Sequence, residues 1–489
     1  MASDFRPVRL LVLEINEISW ELMDPWSKAG ELPNFARLKS EGTWGTTYAD
    51  EPIGAEGLLE PWVTWTTFYT GVPHTEHGVK FLEQPVESIR YPRLWDIAEK
   101  AGKSIGVFAS SGTWPPKPVK GFIVPGSFSP DSQTYPESLR PIQDMNLRYT
   151  RAHAPGVKPP TLIETGKRGL SLVKLGLGPG TVMTVAKTLL EIKRHPDRDW
   201  KKVCLQPEVN RAFFEPLWKK VKPDFATFHT NHVAHFQHRF MRAYKPDSYP
   251  DPTDPKEIER FGGAIRYGYQ TADKLLGHFL KLVAKDDNAV LVVASSMGQQ
   301  PYIPARYDKI APPTCRLKSI EKLIDILGLN GQCEYFSTMA PQWNLRIPAE
   351  AKRKEIIDHL KNARYQPADK TMYSAKEVED SIVLTPISHH GLGELTKCVF
   401  PSLPGSPTYN FGDLVVQADD TRKSGSHHPV GLLAFYGKRV KANFDFGQVN
   451  NLDVAPTFLN LLGVPVPEYM TGRNFADELL SGSRETAKV

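Results

Sequence analysis

Cysteine is scarce in this chain and long apolar runs are missing. The four cysteines, Cys204, Cys315, Cys333 and Cys398, lie far apart and form no CxxC pair. That spacing argues against a disulfide framework and against a zinc–thiolate site. No window approaches about 18 uninterrupted apolar residues, so neither a transmembrane helix nor membrane insertion is expected. The opening stretch MASDFRPVRLLVLEIN has only the short apolar run Leu10–Leu13, cut by Glu14. It does not resemble the apolar core of a secretory leader, and a cytoplasmic location is the expectation. Blocks of like charge are absent too. Sixty basic residues face 55 acidic ones, leaving a net charge of +5. So small an excess fits an anionic substrate but is no basic stripe for nucleic acid. Internal repeats and low-complexity segments are also missing.

What is present is an ordinary globular balance: 489 residues, 40% hydrophobic and 24% charged. Length alone suggests about three domains. The order of elements argues instead for a single α/β domain over 1–489, with insertions at 111–221 and 300–420 that form a cap. Arg9–Ile15 reads as a buried strand, Ile18–Ala29 and Leu32–Lys39 as helices, Leu94–Ala101 as a helix and Ser104–Ala109 as a strand. Such alternation implies a mostly parallel sheet sandwiched by helices. Residues 111–160, rich in Pro, Gly and Ser, read as a surface excursion. Residues 161–221 read as mostly helical, with a basic amphipathic character around Lys187–Arg198 that fits a solvated cap. Asp224–His229 and Ala289–Ala294 read as strands, and Lys256–Val283 as one long helix. In 300–420 a helix, Ala351–Asn362, lies among short strand-like runs. Leu432–Tyr436 reads as a late strand, Val454–Leu462 as the last helix, and the tail from Ser481 as frayed.

Five ordered segments carry a resemblance: LLVLEINEISWELMDPW with ELPNFARLKSEGTWG, PWVTWTTFYTGVPHTEHGV, FHTNHVAHFQHRF, LVVASSMGQQ, and SGSHHPVGLLAFYGKRV followed by NNLDVAPTFLNLLGVPVPEYMTGR. Together they resemble the type I phosphodiesterase/nucleotide pyrophosphatase branch of the alkaline phosphatase superfamily. The resemblance implies an alkaline-phosphatase-like fold. It also implies two divalent metals, usually zinc, clamping an anionic ester while one of them activates a nucleophile.

The matching positions depart from that template. The first metal-ligand Asp falls at Asn16, the nucleophile at Pro61, and the Asp-His pair at Ser296 and Met297. The Asp and His of the second site fall at Asn231 and His235, and the last metal His is kept as His427. The resemblance therefore implies no metal or a single divalent metal, zinc or manganese, held by His235, His427 and Asn231. Equally, His235 and His427 can be read as hydrogen-bonded pocket residues on an inherited scaffold.

Other residues carry chemistry of their own. His229, His232, His235 and His238 recur every third residue, which spreads them around a helix. His389–His390 and His427–His428 sit in loops, where function concentrates. Glu14, Asn16 and Glu17 end the first strand, at the mouth where open α/β sheets bind ligands. Glu60 precedes Pro61, and Trp62 and Trp65 crowd the same neighbourhood. Expected catalytic residues are Glu60, Glu14 and His235. Expected substrate contacts are Asn16, Glu17, Trp62, Trp65, Asn231, His232 and His428. Three functions remain open. One is a hydrolase or transferase acting on a phosphorylated or glycosylated small molecule with at most one metal. The others are a metal-independent glycan-active enzyme using paired carboxylates and a non-catalytic binding protein.

Overall fold

The computed structural model describes residues 6–51, 59–80, 82, 84, 86–151, 172–303, 315–337, 342–378, 380–393, 395–417 and 424–481. The start of the helical reading at 161–171 and the tail beyond Ser481 lie outside them. The chain divides into two compact units, residues 1–147, 162–303 and 423–489 in the first, and 148–161 with 304–422 in the second.

The first unit is built on an eight-stranded sheet. Its strands are β1 (Arg9–Ile15), β2 (Thr43–Tyr48), β3 (Ile105–Phe108), β4 (Gly121–Val124), β5 (Phe225–Thr230) and β6 (Ala289–Ser295). A small pair follows, β7 (Gly298–Pro301) with β8 (Gly425–His428), and the main sheet resumes with β9 (Leu432–Tyr436) and β10 (Phe444–Asn450). Spatial order is β10–β2–β9–β6–β1–β5–β3–β4. The central pairings β6–β1–β5–β3–β4 are parallel, and β9 runs antiparallel to β2 and β6. This is the mostly parallel α/β sheet expected.

Side-chain alternation splits β1 between two cores. Leu11, Leu13 and Ile15 join one apolar layer, and Leu10 and Val12 join the other. The first layer is covered by α1 (Trp20–Lys28) and α2 (Pro33–Glu41). The second is covered by α3 (Pro61–Thr70) and α4 (Leu94–Lys100). Next in the chain come α5 (Pro179–Arg194), α6 (Leu205–Val221), α7 (His232–Tyr244), α8 (Ala264–Val283) and α9 (Val454–Leu461).

Several boundaries differ from the sequence reading. The long helix over Lys256–Val283 is broken at Gly262–Gly263, leaving Pro255–Phe261 as a separate helix of about two turns. Two successive glycines lower helix propensity enough to end it there. The excursion at 111–160 is not all surface: Phe122, Ile123 and Val124 are buried in β4. Within the region read as a cap, α6 lays Phe213, Phe214 and Trp218 into the first core, with Phe214 against Phe108, Phe228 and Phe279.

The second unit has its own core around Leu345, Ile356, Leu360, Tyr365, Tyr373, Ile382 and Leu384. It carries two four-stranded sheets and the helices Ile320–Ile326 and Glu350–Asn362.

Candidate metal and catalytic site

The carboxyl ends of β1, β5 and β6 bring most of the singled-out residues into one neighbourhood. Glu17 follows β1 in a left-handed backbone conformation, φ 62°. For a non-glycine residue this costs about 1–2 kcal/mol. It is held there by Glu17 N–H donating to Ser295 Oγ (2.7 Å) and by Gln237 Nε2 donating to Glu17 O (2.8 Å). The result turns a carboxylate that is 0% exposed toward three elements at once.

Gln299 Nε2 donates to Glu17 Oε2, and Asn16 Nδ2 donates to Oε1 at 3.1 Å. His238 Nε2 lies 3.2 Å from Oε2, and His427 Nε2 lies 3.6 Å from Oε1. Burial by itself would raise the Glu17 pKa. With both rings protonated, the charges of His238 and His427, with hydrogen bonds from His238 and Gln299, outweigh it and hold the group at about 2. Gln299 and His427 are cross-strand partners in the β7–β8 pair. His238 comes from α7, whose ring meets that of His427 edge-on at 5.1 Å.

The tautomers follow from the backbone. His238 Nδ1 faces Gly425 O at 3.1 Å, and His427 Nδ1 faces Leu59 O at 2.6 Å. A carbonyl only accepts, so each Nδ1 carries its proton. Each neutral ring then turns a bare Nε2 toward Glu17. Lone pairs facing a buried carboxylate repel unless both rings are protonated or a cation sits among them. Ligand atoms of the three residues lie within 4.8 Å of one another, and no other such trio of His, Cys, Asp or Glu occurs among the described residues. Two imidazole Nε2 atoms and a carboxylate, with each Nδ1–H fixed on a carbonyl, are a donor set suited to zinc or manganese. Gln299 Oε1, buried beside them, has no hydrogen-bond partner.

The position expected for the first metal is filled differently. Asn16 is 2% exposed and acts as a hub. Its Oδ1 accepts from Trp65 Nε1 (3.0 Å), while Nδ2 donates to Glu17 and to Asn231 Oδ1 (2.8 Å). Ser296 Oγ pairs with Thr64 Oγ1 at 2.7 Å. Met297 is fully buried against Ala49 and Leu59.

A second carboxylate lies deeper. Glu14 is 1% exposed and accepts from Tyr69 Oη (2.6 Å), Ser110 Oγ (2.8 Å) and His229 Nδ1 (2.8 Å). It is paired directly across the parallel register with His229. Since Nδ1–H is spent on Glu14, the lone pair of neutral His229 is on Nε2. That side chain is 13% exposed, edge-on to Trp65. An imidazole oriented by a buried carboxylate is built to take a proton.

The remaining expected residues fall as follows. Glu60 caps α3 without a side-chain cap bond, and its Oε2 is 3.6 Å from His427 Nδ1. Trp62 donates to Lys80 O at 3.1 Å. Trp65, expected to face substrate, is 2% exposed and packs among Phe68, Tyr69 and His229. His232 is also buried away from any cleft. Its Nδ1 meets Thr230 Oγ1 and its Nε2 meets Gly268 O, and burial lowers its pKa to about 4. His428 Nδ1 accepts from Val430 N–H (3.2 Å) and braces a turn. His235 stays half-buried on α7, its backbone N–H bonded to Asn231 O. His238 and His229 were not singled out from the rest of the histidine run. The usable signal was chain position: His229 ends a strand beside Glu14, and His238 lies two helical turns on.

A comparison with known families finds type I phosphodiesterase / nucleotide pyrophosphatase matching residues 10–322 of the 489. No curated protein matches the chain.

Proposed function

The chain belongs to the type I phosphodiesterase / nucleotide pyrophosphatase family, of the alkaline phosphatase superfamily, and from that premise we propose a phosphoester hydrolase working with a single divalent cation, zinc or manganese. Glu17, His238 and His427 would hold it. His238 takes the ligand role that the family pattern assigns to His235, and the Asn231 amide oxygen is spent on Asn16. The carrying observation is the pair of Nε2 atoms turned onto one buried carboxylate while both Nδ1 atoms face carbonyls. A cation bound there supplies charge neutralisation for a phosphoryl oxygen.

The residues do the rest. Asn16 locks Glu17 in place through its amide. His229 Nε2 receives the proton of the attacking water as its oxygen bonds phosphorus and the ester oxygen departs, and Glu14 orients the ring. Pro61 has no nucleophilic atom, which favours direct attack by water over a covalent intermediate. The two-metal site is thus read as reduced to one. Glu14, buried under three donors, is a positioning residue in this reading, which weighs against a carboxylate pair acting on a glycan. Four free cysteines support a cytoplasmic setting.

The test is turnover of bis-p-nitrophenyl phosphate and p-nitrophenyl phosphate by zinc- or manganese-loaded protein. Hydrolysis should vanish with chelator and fall by roughly a hundredfold or more in His229→Gln, the scale of a lost general base. Loaded protein that turns over neither ester, or full rates in Glu17→Gln, would overturn the reading.

A further inference from the structure

The outer face of α5 concentrates exposed apolar side chains among the described residues. Of the large hydrophobic residues exposed among the described residues, five lie in one short run. These are Val173 (54%), Val182 (47%), Met183 (56%), Leu189 (51%) and Leu190 (47%). Others of the first unit, such as Tyr48 and Ile258, stand far from this run in sequence.

The helix has two distinct sides. At about 100° per residue, Val182, Met183, Ala186, Leu189 and Leu190 fall within an arc of roughly 120°. Opposite that arc, Thr181 is buried and Val185, Thr188 and Ile192 are half-buried, facing the body of the unit. The apolar arc is therefore not the side that packs. An amphipathic helix of a globular domain turns its apolar stripe inward; this one has apolar residues on both sides, and more of them face out than in.

Charge identifies what the arc suits. Lys187 and Arg194 border it, and Lys193 closes its C-terminal end. Glu191, the acid of this helix, lies outside the arc, where Lys201 (2.5 Å) and Arg198 (3.4 Å) pair with it. No acidic side chain therefore stands on the apolar face. An apolar strip edged by Lys and Arg matches the interface of an anionic bilayer, with Leu, Met and Val among the acyl chains and the cations at the headgroups. Sixteen residues rise about 24 Å along the axis, shorter than a span needs and suited to lying flat. No helix among the described residues is long and apolar enough to cross a membrane.

We propose that α5 is a peripheral docking helix for membranes rich in anionic lipid. It holds the protein at the surface without inserting a segment through it. This proposal does not depend on the cation site, and either can fail alone.

The experiment is co-sedimentation of the full chain with phosphatidylcholine vesicles, with and without phosphatidylglycerol. The wild-type protein should partition onto the anionic vesicles at low salt, and the bound fraction should drop as salt rises. Leu189→Glu/Leu190→Glu should weaken partitioning by at least about tenfold, from the apolar area withdrawn. Lys187→Gln/Lys193→Gln/Arg194→Gln should weaken it by about tenfold or more while the apolar arc is intact. All of these side chains are exposed, so both variants should keep the wild-type melting temperature and serve as independent probes. Equal sedimentation with and without anionic lipid, or partitioning unchanged in both variants, overturns the proposal. So does wild-type self-association that Leu189→Glu/Leu190→Glu abolishes without any vesicle binding, because the arc would then be a contact between copies of the chain.

Discussion

At the residue scale, the site turns on Asn16, where the sequence resemblance implied an aspartate. An aspartate at position 16 could still accept from Trp65, but it could not donate to Glu17 or Asn231. It would also set a second carboxylate about where Asn16 Nδ2 now lies, 3.1 Å from Glu17 Oε1. Asn16→Asp should destabilise the fold by about 2–3 kcal/mol, the scale of stranded buried acceptors. Denaturant unfolding at neutral pH measures this, and an unchanged midpoint would contradict the hub role. Glu17, Asn16 and His427 could be picked out in the sequence because they end a predicted strand or follow a family motif. His238 could not, because a period-three run of histidines does not say which ring meets His427, which lies in β8 and not in the loop expected for it. The left-handed turn at Glu17 also has no sequence signature, since glycine would be its ordinary occupant.

Two buried histidines give the fold its own pH dependence. His232 and His77 each have a pKa lowered to about 4, in both cases chiefly by burial, with His74 adding to the effect at His77. Their tautomers are fixed: Val79 N–H donates to His77 Nδ1, so Nε2–H faces Thr67 Oγ1, whose hydroxyl meets Glu51. Between about 6.5 and 4 the unfolded chain binds protons that the folded chain refuses. Stability therefore rises with pH across this window and is lost as pH falls through it. From pH 7 to 5 the loss should be about 2 kcal/mol per histidine. Glu51 works against this, since burial raises its pKa and favours the folded state on the acid side. His232→Asn should flatten the average slope by about 0.7 of a proton in chemical denaturation series at the two pH values. A slope equal to wild type would mean that His232 is not buried neutral.

At the element scale, the close approach of β8 to α7 assembles the proposed cation site. A Cβ added at Gly425 would meet Gln237 O and Gln299 Oε1, both at 2.5 Å. Gly425→Ala must push β8 away, at a cost of about 1–3 kcal/mol. It should weaken zinc binding at least about tenfold in titration calorimetry while the circular dichroism spectrum is retained. Wild-type affinity in that variant would show that the β8–α7 distance does not matter. Strands with an unbroken apolar run, β1, β6 and β9, were legible to within a residue. The helix started by Pro33 was legible as well, its end read two residues short of Glu41. The strands at or next to the sheet's edges, β2, β4 and β10, were not. TWGTTY and FDFGQVN carry too few apolar residues, and GFIV sits inside a Pro- and Gly-rich stretch. What makes them strands is pairing with distant partners, as in the parallel register of β2 with β10. The outward apolar arc of α5 was missed for a related reason: an amphipathic sequence does not tell which of its faces is covered.

At the scale of the whole molecule, the family match spans residues 10–322, while the residues at the sheet's mouth differ from the ligands that the resemblance implied. Asn16, Ser296 and Met297 now make hydrogen-bonded and apolar packing where the pattern expects ligands. Glu17 and His238 gather around His427. The fold was legible because many apolar positions specify it redundantly. The site was only half legible because a handful of side chains specify it, and their convergence depends on loop conformation. The most direct test is the metal content of the purified full chain after loading with zinc or manganese and removal of free ion. The account predicts one equivalent per chain, lost in each of Glu17→Gln, His238→Gln and His427→Gln and kept in His235→Gln. No bound metal after loading, or one equivalent that survives the first three substitutions, would contradict it.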